Sequence, residues 1–262
     1  MNTENKVAII TGGANGIGLA TAHRLSKAGI CVVIADRDAQ AGTAAESEIR
    51  GLGGEAFFVQ TDVVNLDSVR ALFASAEDRY GGVDILFNNA GVLGGPRFPD
   101  AAPSAWLKAI DVNLIGLMNG IYVGVPYLAK RGAAVIVNTA STAGLKASYL
   151  DPAYAMTKAG VVSLTRSLVF LKEESGIRIN CVCPALVKTT LERNSGAEYD
   201  ADQLKAFLDG RVGRGELPSL VADDVAVAVM NLIEDDSLNG CACVLAVGEP
   251  WKIIPASEPQ KV

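Results

Sequence analysis

The sequence predicts a single doubly wound α/β domain, in which one parallel sheet of seven strands carries helices on both faces. Short apolar runs rich in Val, Ile and Ala alternate with longer amphipathic stretches along the chain, as expected for strands joined by crossover helices. Glycines, 27 in total, cluster where one element gives way to the next. No linker or repeat interrupts the 262 residues, so we expect one domain spanning residues 1–262.

The composition excludes several classes of partner. The net charge is −6, and the chain has no block of five like charges, so we expect no nucleic-acid partner. The longest apolar runs fall short of a membrane span, and the first residues do not resemble a signal peptide. These features predict a cytoplasmic protein with no membrane partner.

The cysteines do not predict a metal site. Four of the five form the pairs Cys181/Cys183 and Cys241/Cys243, each within an apolar run that reads as a strand. Residues i and i+2 of a strand stand about 7 Å apart, whereas a tetrahedral zinc site favours a turn that brings its thiolates closer. We interpret them as small core residues and expect no metal. His23, in an early amphipathic helix, is the one histidine, and we expect no catalytic histidine.

The stretch from residue 7 to residue 36 has the layout of a nucleotide-binding unit. A buried strand (7–10) enters a glycine-rich turn (11–18), a helical pattern follows, and a second strand (31–35) ends at an acidic residue. Glycines permit a tight turn and let the backbone approach a pyrophosphate at the helix N-terminus, and the acid can bind the ribose hydroxyls. This is a Rossmann-type βαβ pattern, with candidate cofactor contacts at Gly12, Asn15, Gly16, Ile17, Gly18 and Asp36.

The acid at the end of the second strand also predicts which cofactor binds. Asp36 should repel a 2′-phosphate, which favours NAD over NADP. Arg37, the next residue, could attract that phosphate, so an enzyme that prefers NADPH stays open as an alternative.

The alternation of strands and helices places further candidates at strand ends, where open α/β sheets bind ligands. The strands 56–60 and 84–87 are followed by Asp62-Val63 and by the run Asn88-Asn89-Ala90-Gly91. For Asn88, bracing of neighbouring strands is at least as plausible as cofactor contact. The candidate cofactor contacts here are Asp62, Val63, Asn89, Ala90 and Gly91.

A long helix is predicted over residues 104–130. Gly116, Gly120 and Gly124 recur every four residues within it, although each glycine costs a helix about 1 kcal/mol relative to alanine. Such a stripe makes sense where the helix packs very closely on another element. Asn113, one turn earlier, could bind a main-chain carbonyl or a water.

Proton-transfer chemistry is predicted by Ser141, Tyr154 and Lys158. Tyr154 and Lys158 lie four residues apart and share one face of a helix expected over residues 152–174. An ammonium beside a phenol should lower the tyrosine pKa and favour the phenolate, which can take a proton from an alcohol. Ser141, after the buried strand 133–139, could hold the same substrate oxygen.

The last third of the chain completes the sheet. Strand 177–183 stops at Pro184, residues 190–215 are expected to form a flap over the site, and a helix (220–235) precedes a seventh strand (241–247). The tail, residues 249–262, contains Pro250, Pro255 and Pro259 and is predicted to be extended.

Taken in order and spacing, these motifs resemble the short-chain dehydrogenase/reductase family over essentially the whole chain. The resemblance implies that Tyr154 is the general acid/base, that Ser141 polarises the substrate oxygen and that Lys158 holds the nicotinamide ribose. It further implies that Asn113 holds a water linking Lys158 to solvent and that Thr189 contacts the nicotinamide carboxamide. Tyr154 and Lys158 thereby join the cofactor contacts, with Pro184 and Val187, and a homodimer or homotetramer is expected.

Two stretches, residues 120–124 and 232–240, resemble one branch of this family, and three positions depart from the pattern. Asp151 stands where members of that branch carry a substrate-binding glutamine, which makes it a candidate substrate contact together with Ser141 and Tyr154. Ala185 replaces the usual glycine after Pro184, and the usual Asp-Gly-Gly near the C-terminus is replaced around residues 248–250.

The leading hypothesis is therefore an NAD-dependent dehydrogenase that oxidises a secondary alcohol to a ketone. One alternative is a carbonyl reductase that prefers NADPH. Another is a non-catalytic protein that senses the cofactor on the same fold, although such a protein needs no proton-transfer residues.

Overall fold

The computed structural model describes residues 6–96, 98–148, 151–189 and 219–256. In chain order, its strands are β1 Val7–Thr11, β2 Cys31–Asp36, β3 Ala56–Gln60, β4 Ile85–Asn88, β5 Ala134–Thr139, β6 Ile177–Pro184, β7 Val187–Lys188, β8 Leu220–Val221, β9 Ala242–Leu245 and β10 Lys252–Ile254. Its α-helices are α1 Gly16–Lys27, α2 Ala39–Gly51, α3 Leu66–Tyr80, α4 Pro103–Ile110, α5 Leu117–Ala129, α6 Pro152–Ser167, α7 Leu171–Ser175 and α8 Ala222–Glu234.

Eight strands form the central sheet, in the order β3-β2-β1-β4-β5-β6-β9-β10. The first seven are mutually parallel, which confirms the predicted doubly wound sheet of seven parallel strands. The eighth was not predicted: β10 lies within the tail and pairs antiparallel with β9, with Ile253 opposite Cys243. Gly248, at φ +73°, provides a backbone conformation suited to the reversal between these two strands.

Alternate residues of the central strands enter two separate cores. Ile9 of β1 and Leu86 of β4 pack with buried side chains of α3, α5 and α6 on one face. Ile10 and Phe87, the next residues along, pack with α1, α2 and α8 on the other face. Successive side chains of a strand point to opposite faces, so continuous apolar strands require helices on both sides, as predicted.

The predicted long helix is continuous from Pro103 to Ala129, but its middle turn, Asp111–Gly116, is a π-helix. Its glycine stripe packs as closely as expected. A Cβ added at Gly120 would lie 2.5 Å from Asn88 Oδ1, and one at Gly124 would lie 2.8 Å from Phe73 Cζ. Only glycine lets α5 approach β4 and α3 this closely.

This helical stretch also corrects the expectation that the apolar segments of the chain fall short of a membrane span. With 27 residues and a mean hydropathy of 1.4 in its most apolar window, Pro103–Ala129 is long and apolar enough to cross a membrane by length and composition. The length of this helix was predicted, but Lys108, Asp111 and Asn113 interrupt its apolar run, so no single apolar run in the sequence is long enough for a span. Its contacts with β4 and α3 are those of a core helix in a sheet domain.

Two other predicted segments differ from the structure or lie outside it. The helix expected over residues 152–174 ends at Ser167, and a separate short helix, α7, follows. The predicted flap, residues 190–215, lies outside the described residues, as do residues 257–262 of the tail.

Three of the paired cysteines lie in the sheet, and Cys241 directly precedes β9. Cys181 and Cys183 are fully buried with their Sγ atoms 4.0 Å apart, and Cys243 is also fully buried. All five cysteines are free thiols. Within the described ranges, no group of three or more His, Cys, Asp or Glu side chains is placed to hold a metal ion.

Candidate active site

The described parallel strands bring the predicted site residues to one edge of the sheet. Each candidate lies at or after the carboxyl end of β1, β2, β3, β4, β5 or β6, or on the helix that comes next in the chain. The candidates are scattered from residue 12 to residue 189 in sequence, so the sheet is what assembles them.

The turn between β1 and α1 is shaped for close approach. Gly12, at φ +61°, has the Ala90 backbone so near that an added Cβ would lie 2.9 Å from Ala90 Cα. Asn15 is the N-cap residue of α1, yet its side chain makes no capping hydrogen bond. The Asn15 side chain thus leaves the first N–H groups of α1 open to an external acceptor, which suits a pyrophosphate.

Thr189 lies over this turn, because a Cβ added at Gly16 would stand 3.4 Å from Thr189 Cγ2. The predicted carboxamide contact is therefore next to the nucleotide turn, although it lies 173 positions after Gly16 in sequence. The segments that follow the carboxyl ends of β1 and β6 therefore lie side by side.

Asp36 and Asn89 fix the outline of the nucleotide turn. Asp36, at the end of β2, accepts hydrogen bonds from Ala14 N at 3.2 Å and from Asp38 N at 3.1 Å. Asn89 Nδ2 donates to the carbonyls of Thr11 and Gly12 at 3.2 and 3.1 Å. The residues predicted to bind the cofactor thus hold each other in place.

Asn88, for which bracing and cofactor contact were both open, braces the sheet. Its Nδ2 donates to Asn138 Oδ1 at 3.1 Å, and Asn138 Nδ2 donates to Thr165 Oγ1 at 3.0 Å. The amides thus connect β4, β5 and α6 beneath the site.

Ser141, Tyr154 and Lys158 are brought together by the packing of a short turn on α6. Ser141 accepts a hydrogen bond from Ala143 N at 3.1 Å and begins the 3-10 turn Thr142–Gly144. A Cβ at Gly144 would meet the Lys158 carbonyl carbon at 2.5 Å, so glycine is needed for this contact. Ser141 therefore caps this turn, and its hydroxyl also acts on Tyr154, where it favours a lower pKa of the phenol.

Lys158 is anchored by the backbone of β5. Its Nζ donates to the Thr139 carbonyl at 2.8 Å and lies 5.5 Å from the centroid of the Tyr154 ring. A Cβ at Gly91 would stand 3.4 Å from Lys158 Nζ, so the amine also reaches the segment after β4. Burial lowers the Lys158 pKa to about 8, and the ammonium form predominates at neutral pH.

The predicted fall in the Tyr154 pKa is wrong for this arrangement. Burial raises the pKa of Tyr154 to about 12; the hydrogen bond with Ser141 opposes the rise, whereas Asp151 and Cys183 add to it. A phenolate loses solvation when it is buried. Lys158 Nζ donates to the Thr139 carbonyl and lies 5.5 Å from the ring centroid, so its attraction does not offset this loss.

Asn113 lies on the π-helical turn and is 1% exposed. Its Oδ1 accepts from Val92 N at 2.8 Å, and its Nδ2 donates to Val92 O at 2.9 Å. The main-chain contact that the sequence suggested is confirmed, whereas the water linking Lys158 to solvent stays a prediction.

Asp151, predicted as a substrate contact, has both carboxylate oxygens bound by backbone N–H groups. Its Oδ1 accepts from Tyr154 N and its Oδ2 accepts from Gly94 N, both at 2.8 Å. It is the N-cap of α6, followed by Pro152 at the first helical position. Asp followed by Pro is a helix-start signal, so the sequence did contain the information needed to predict this role.

Comparison with known proteins decides the family. A family model described as short chain dehydrogenase matches residues 6–200. The chain belongs to the short-chain dehydrogenase/reductase family. Its predicted class, an oxidoreductase acting on CH–OH groups with NAD, is confirmed.

Individual members of the short-chain dehydrogenase/reductase family match along most of their length. The chain is 34% identical over 256 residues to 15-hydroxyprostaglandin dehydrogenase (NAD(+)) of Mus musculus, covering 92% of this chain and 89% of that one. It is 35% identical over 235 residues to cyclohexanol dehydrogenase of Acinetobacter sp. (strain SE19), covering 89% of each. The predicted resemblance to the hydroxyprostaglandin dehydrogenase branch, carried by residues 120–124 and 232–240, agrees with the first match.

A solved structure supports the same assignment. The short-chain dehydrogenase/reductase from Burkholderia phymatum, in complex with NAD, has a TM-score of 0.79 and 34% identity, and the match covers 88% of this chain and 86% of that one. The predicted fold class of a Rossmann-like sheet is thereby confirmed.

Proposed function

We propose that this protein oxidises a secondary alcohol to a ketone, with Tyr154 as the general acid/base. One observation carries the proposal: Ser141, Tyr154 and Lys158 converge at the carboxyl ends of β5 and β6, next to the nucleotide turn. When bound, NAD supplies the hydride acceptor. The nucleotide turn, Asp36 and Lys158 would hold it, and Asp36 disfavours a 2′-phosphate.

The protein's own part in the reaction is the proton. In oxidation, the Tyr154 phenolate accepts the hydroxyl proton of the alcohol while Ser141 donates a hydrogen bond to the same oxygen. In reduction, the Tyr154 phenol donates that proton to the ketone oxygen. Because burial raises the pKa of Tyr154 to about 12, the phenol form predominates at neutral pH, so oxidation depends on a minor ionised population.

The test is a screen of cyclic and linear secondary alcohols with NAD, in which the absorbance of the reduced nicotinamide reports turnover. We expect the oxidation rate to increase with pH above neutral, by up to about tenfold per unit while the phenolate is the minor form, and ketone reduction at neutral pH to lack this increase. No turnover despite tight NAD binding would instead favour the cofactor-sensing alternative. Tighter binding of NADPH than of NADH would overturn the cofactor assignment.

The location, domain organisation and subunit number of the protein are also part of the proposal. We expect one cytoplasmic catalytic domain, with residues 190–215 as a flap, that forms a homodimer or homotetramer. Ile115, Met118 and Tyr122 follow one another along the long helix, with exposed fractions of 41, 49 and 69%, and such side chains in a row typify a subunit contact. Sedimentation as a monomer at micromolar concentration would contradict the oligomer.

A further inference from the structure

The backbone N–H of Tyr154 is tied to the loop that follows β4. Asp151 makes this connection, because one carboxylate oxygen accepts from Tyr154 N and the other accepts from Gly94 N, at 2.8 Å in each case. A Cβ added at Gly94 would lie 2.7 Å from Asp151 Oδ1 and 2.9 Å from Tyr154 N. The loop therefore rests directly on the first turn of α6, and a side chain at position 94 would separate them.

The backbone carbonyl of Tyr154 is tied to the same loop by a second route. Thr157 Oγ1 donates to Tyr154 O at 2.8 Å and accepts from Asn113 Nδ2 at 3.0 Å. The Asn113 amide in turn exchanges two hydrogen bonds with the Val92 backbone. Both peptide groups flanking the Tyr154 side chain are thus held against residues 92–94, which follow Gly91 directly.

An aspartate at the N-cap of α6 carries a desolvation cost that an uncharged cap residue would not. It is 8% exposed, and a buried carboxylate is costly to desolvate even when both oxygens are hydrogen-bonded. Serine or asparagine caps a helix equally well without a charge. The residue thus adds a negative charge, which acts on the side chain it positions.

Several titratable or charged groups lie on the elements packed around that side chain. Burial is the largest contribution to the raised pKa of Tyr154, Ser141 opposes it, and the Asp151 charge and the Cys183 thiol increase it. Lys158 on α6 lies against the ring. The long helix that packs on α6 carries Lys108 and Asp111.

We propose that Asp151 is a positioning residue: it holds the first turn of α6 against the loop after β4 and acts on the reaction through Tyr154, not by contact with the substrate. This inference rests on the proposed function. It also accounts for an aspartate at this position, because two backbone N–H groups need two acceptor oxygens on one side chain.

The test is Asp151→Asn, which removes the charge and leaves one acceptor oxygen for two N–H groups. We expect kcat for alcohol oxidation to fall by about 10- to 10²-fold, as for a small displacement of a catalytic group, with KM nearly unchanged. The pH profile of oxidation should shift toward lower pH, because the charge that opposes Tyr154 ionisation is gone. A cap with a purely structural role would not move the profile.

Three further variants separate position from charge. Gly94→Ala breaks the same contact from the loop side, so it should lower kcat without shifting the pH profile, and its effect should not add to that of Asp151→Asn. Thr157→Val removes the hydrogen bonds that connect the Tyr154 carbonyl to Asn113. It should also lower kcat without shifting the pH profile. Asp235→Asn is the matched control, because Asp235 also accepts from a backbone N–H, that of Ser237 at 2.9 Å. It precedes the amino end of β9, on the edge of the sheet opposite the site. This variant should change neither kcat nor the pH profile.

The outcomes distinguish the alternatives. A raised KM with kcat unchanged in Asp151→Asn would make Asp151 a substrate ligand and overturn the inference, as would unchanged kcat, KM and pH profile. If Asp151→Asn does not fold, Gly94→Ala decides by whether kcat falls. If the wild-type protein oxidises no alcohol, the proposed function fails by itself; faster amide exchange at Gly94 and Tyr154 in Asp151→Asn would still support the tie, and unchanged exchange would overturn it.

Discussion

Replacing Tyr154 by Phe is expected to lower kcat by about 10²- to 10⁴-fold, the range that a general acid/base contributes. Only the phenol oxygen is removed, and the ring keeps its place. Lys158 Nζ is held by the Thr139 carbonyl at 2.8 Å, so its position does not depend on the hydroxyl. NAD affinity should therefore change little. Steady-state kinetics and a fluorescence titration of the cofactor measure the two quantities.

The matched control is Tyr127→Phe, which removes the same atom from a tyrosine near the end of α5 whose ring packs on Phe73. It should keep both kcat and NAD affinity. Turnover retained in Tyr154→Phe would show that another group transfers the proton. A large loss of NAD affinity in the same variant would instead assign the Tyr154 hydroxyl to cofactor binding.

Replacing Asp84 by Ala is expected to lower the free energy of unfolding by about 3 kcal/mol, the low end for breaking a buried ion pair. The Asp84 side chain is fully buried, and its carboxylate accepts from Lys6 Nζ at 2.9 Å, from Arg131 Nε at 2.9 Å and from Val7 N at 3.0 Å. The low end applies because the Lys6 and Arg131 side chains keep exposures of 20 and 32% and can be hydrated. Urea denaturation measures the change.

The surface pair Asp67 and Arg70 provides the control. Its atoms are closer, at 2.7 Å, but the side chains are 85 and 54% exposed, and an exposed pair contributes about 1 kcal/mol or less. Asp67→Ala should thus be nearly neutral. Equal losses in Asp67→Ala and Asp84→Ala would mean that burial does not decide the contribution of these charges.

The Asp84 contribution should depend on pH in one direction. Burial raises the pKa of this carboxyl, but the hydrogen bonds from Arg131, Lys6 and Val7 outweigh burial and leave the pKa lowered. A carboxyl with a lowered folded-state pKa stabilises the protein above its unfolded pKa, near 4, and this contribution is lost as pH falls through the folded value. The difference in stability between wild type and Asp84→Asn should therefore stay constant near neutral pH and shrink below about pH 4.

Local patterns were sufficient wherever one element and its ends carried the information. Apolar runs of strand length and the turn at Gly12–Gly18 predicted the parallel sheet and the edge where ligands gather. The spacing of Tyr154 and Lys158 predicted a shared helical face. The glycines at 116, 120 and 124 predicted a close packing, and the structure places them against Val63, Asn88 and Phe73.

Where sequence reasoning failed, the deciding partner was distant in the chain. Residues 252–254 have no strand periodicity, and they form β10 because β9 presents unpaired backbone groups beside them. Asp151 was interpreted by analogy with a glutamine in related proteins, whereas Gly94, 57 residues earlier, provides its second N–H. Neither partner can be read from the neighbouring residues.

The sequence by itself determined the family, the order of the seven parallel strands, and the identity of the residues around Tyr154, because these follow from local periodicity and motif spacing. Only the tertiary structure decided the electrostatics of the site and the neighbours of each side chain. Solvation and hydrogen-bond partners depend on which distant segments cover a group. For Tyr154, the sequence predicted a lowered pKa, whereas burial by these segments raises the pKa to about 12.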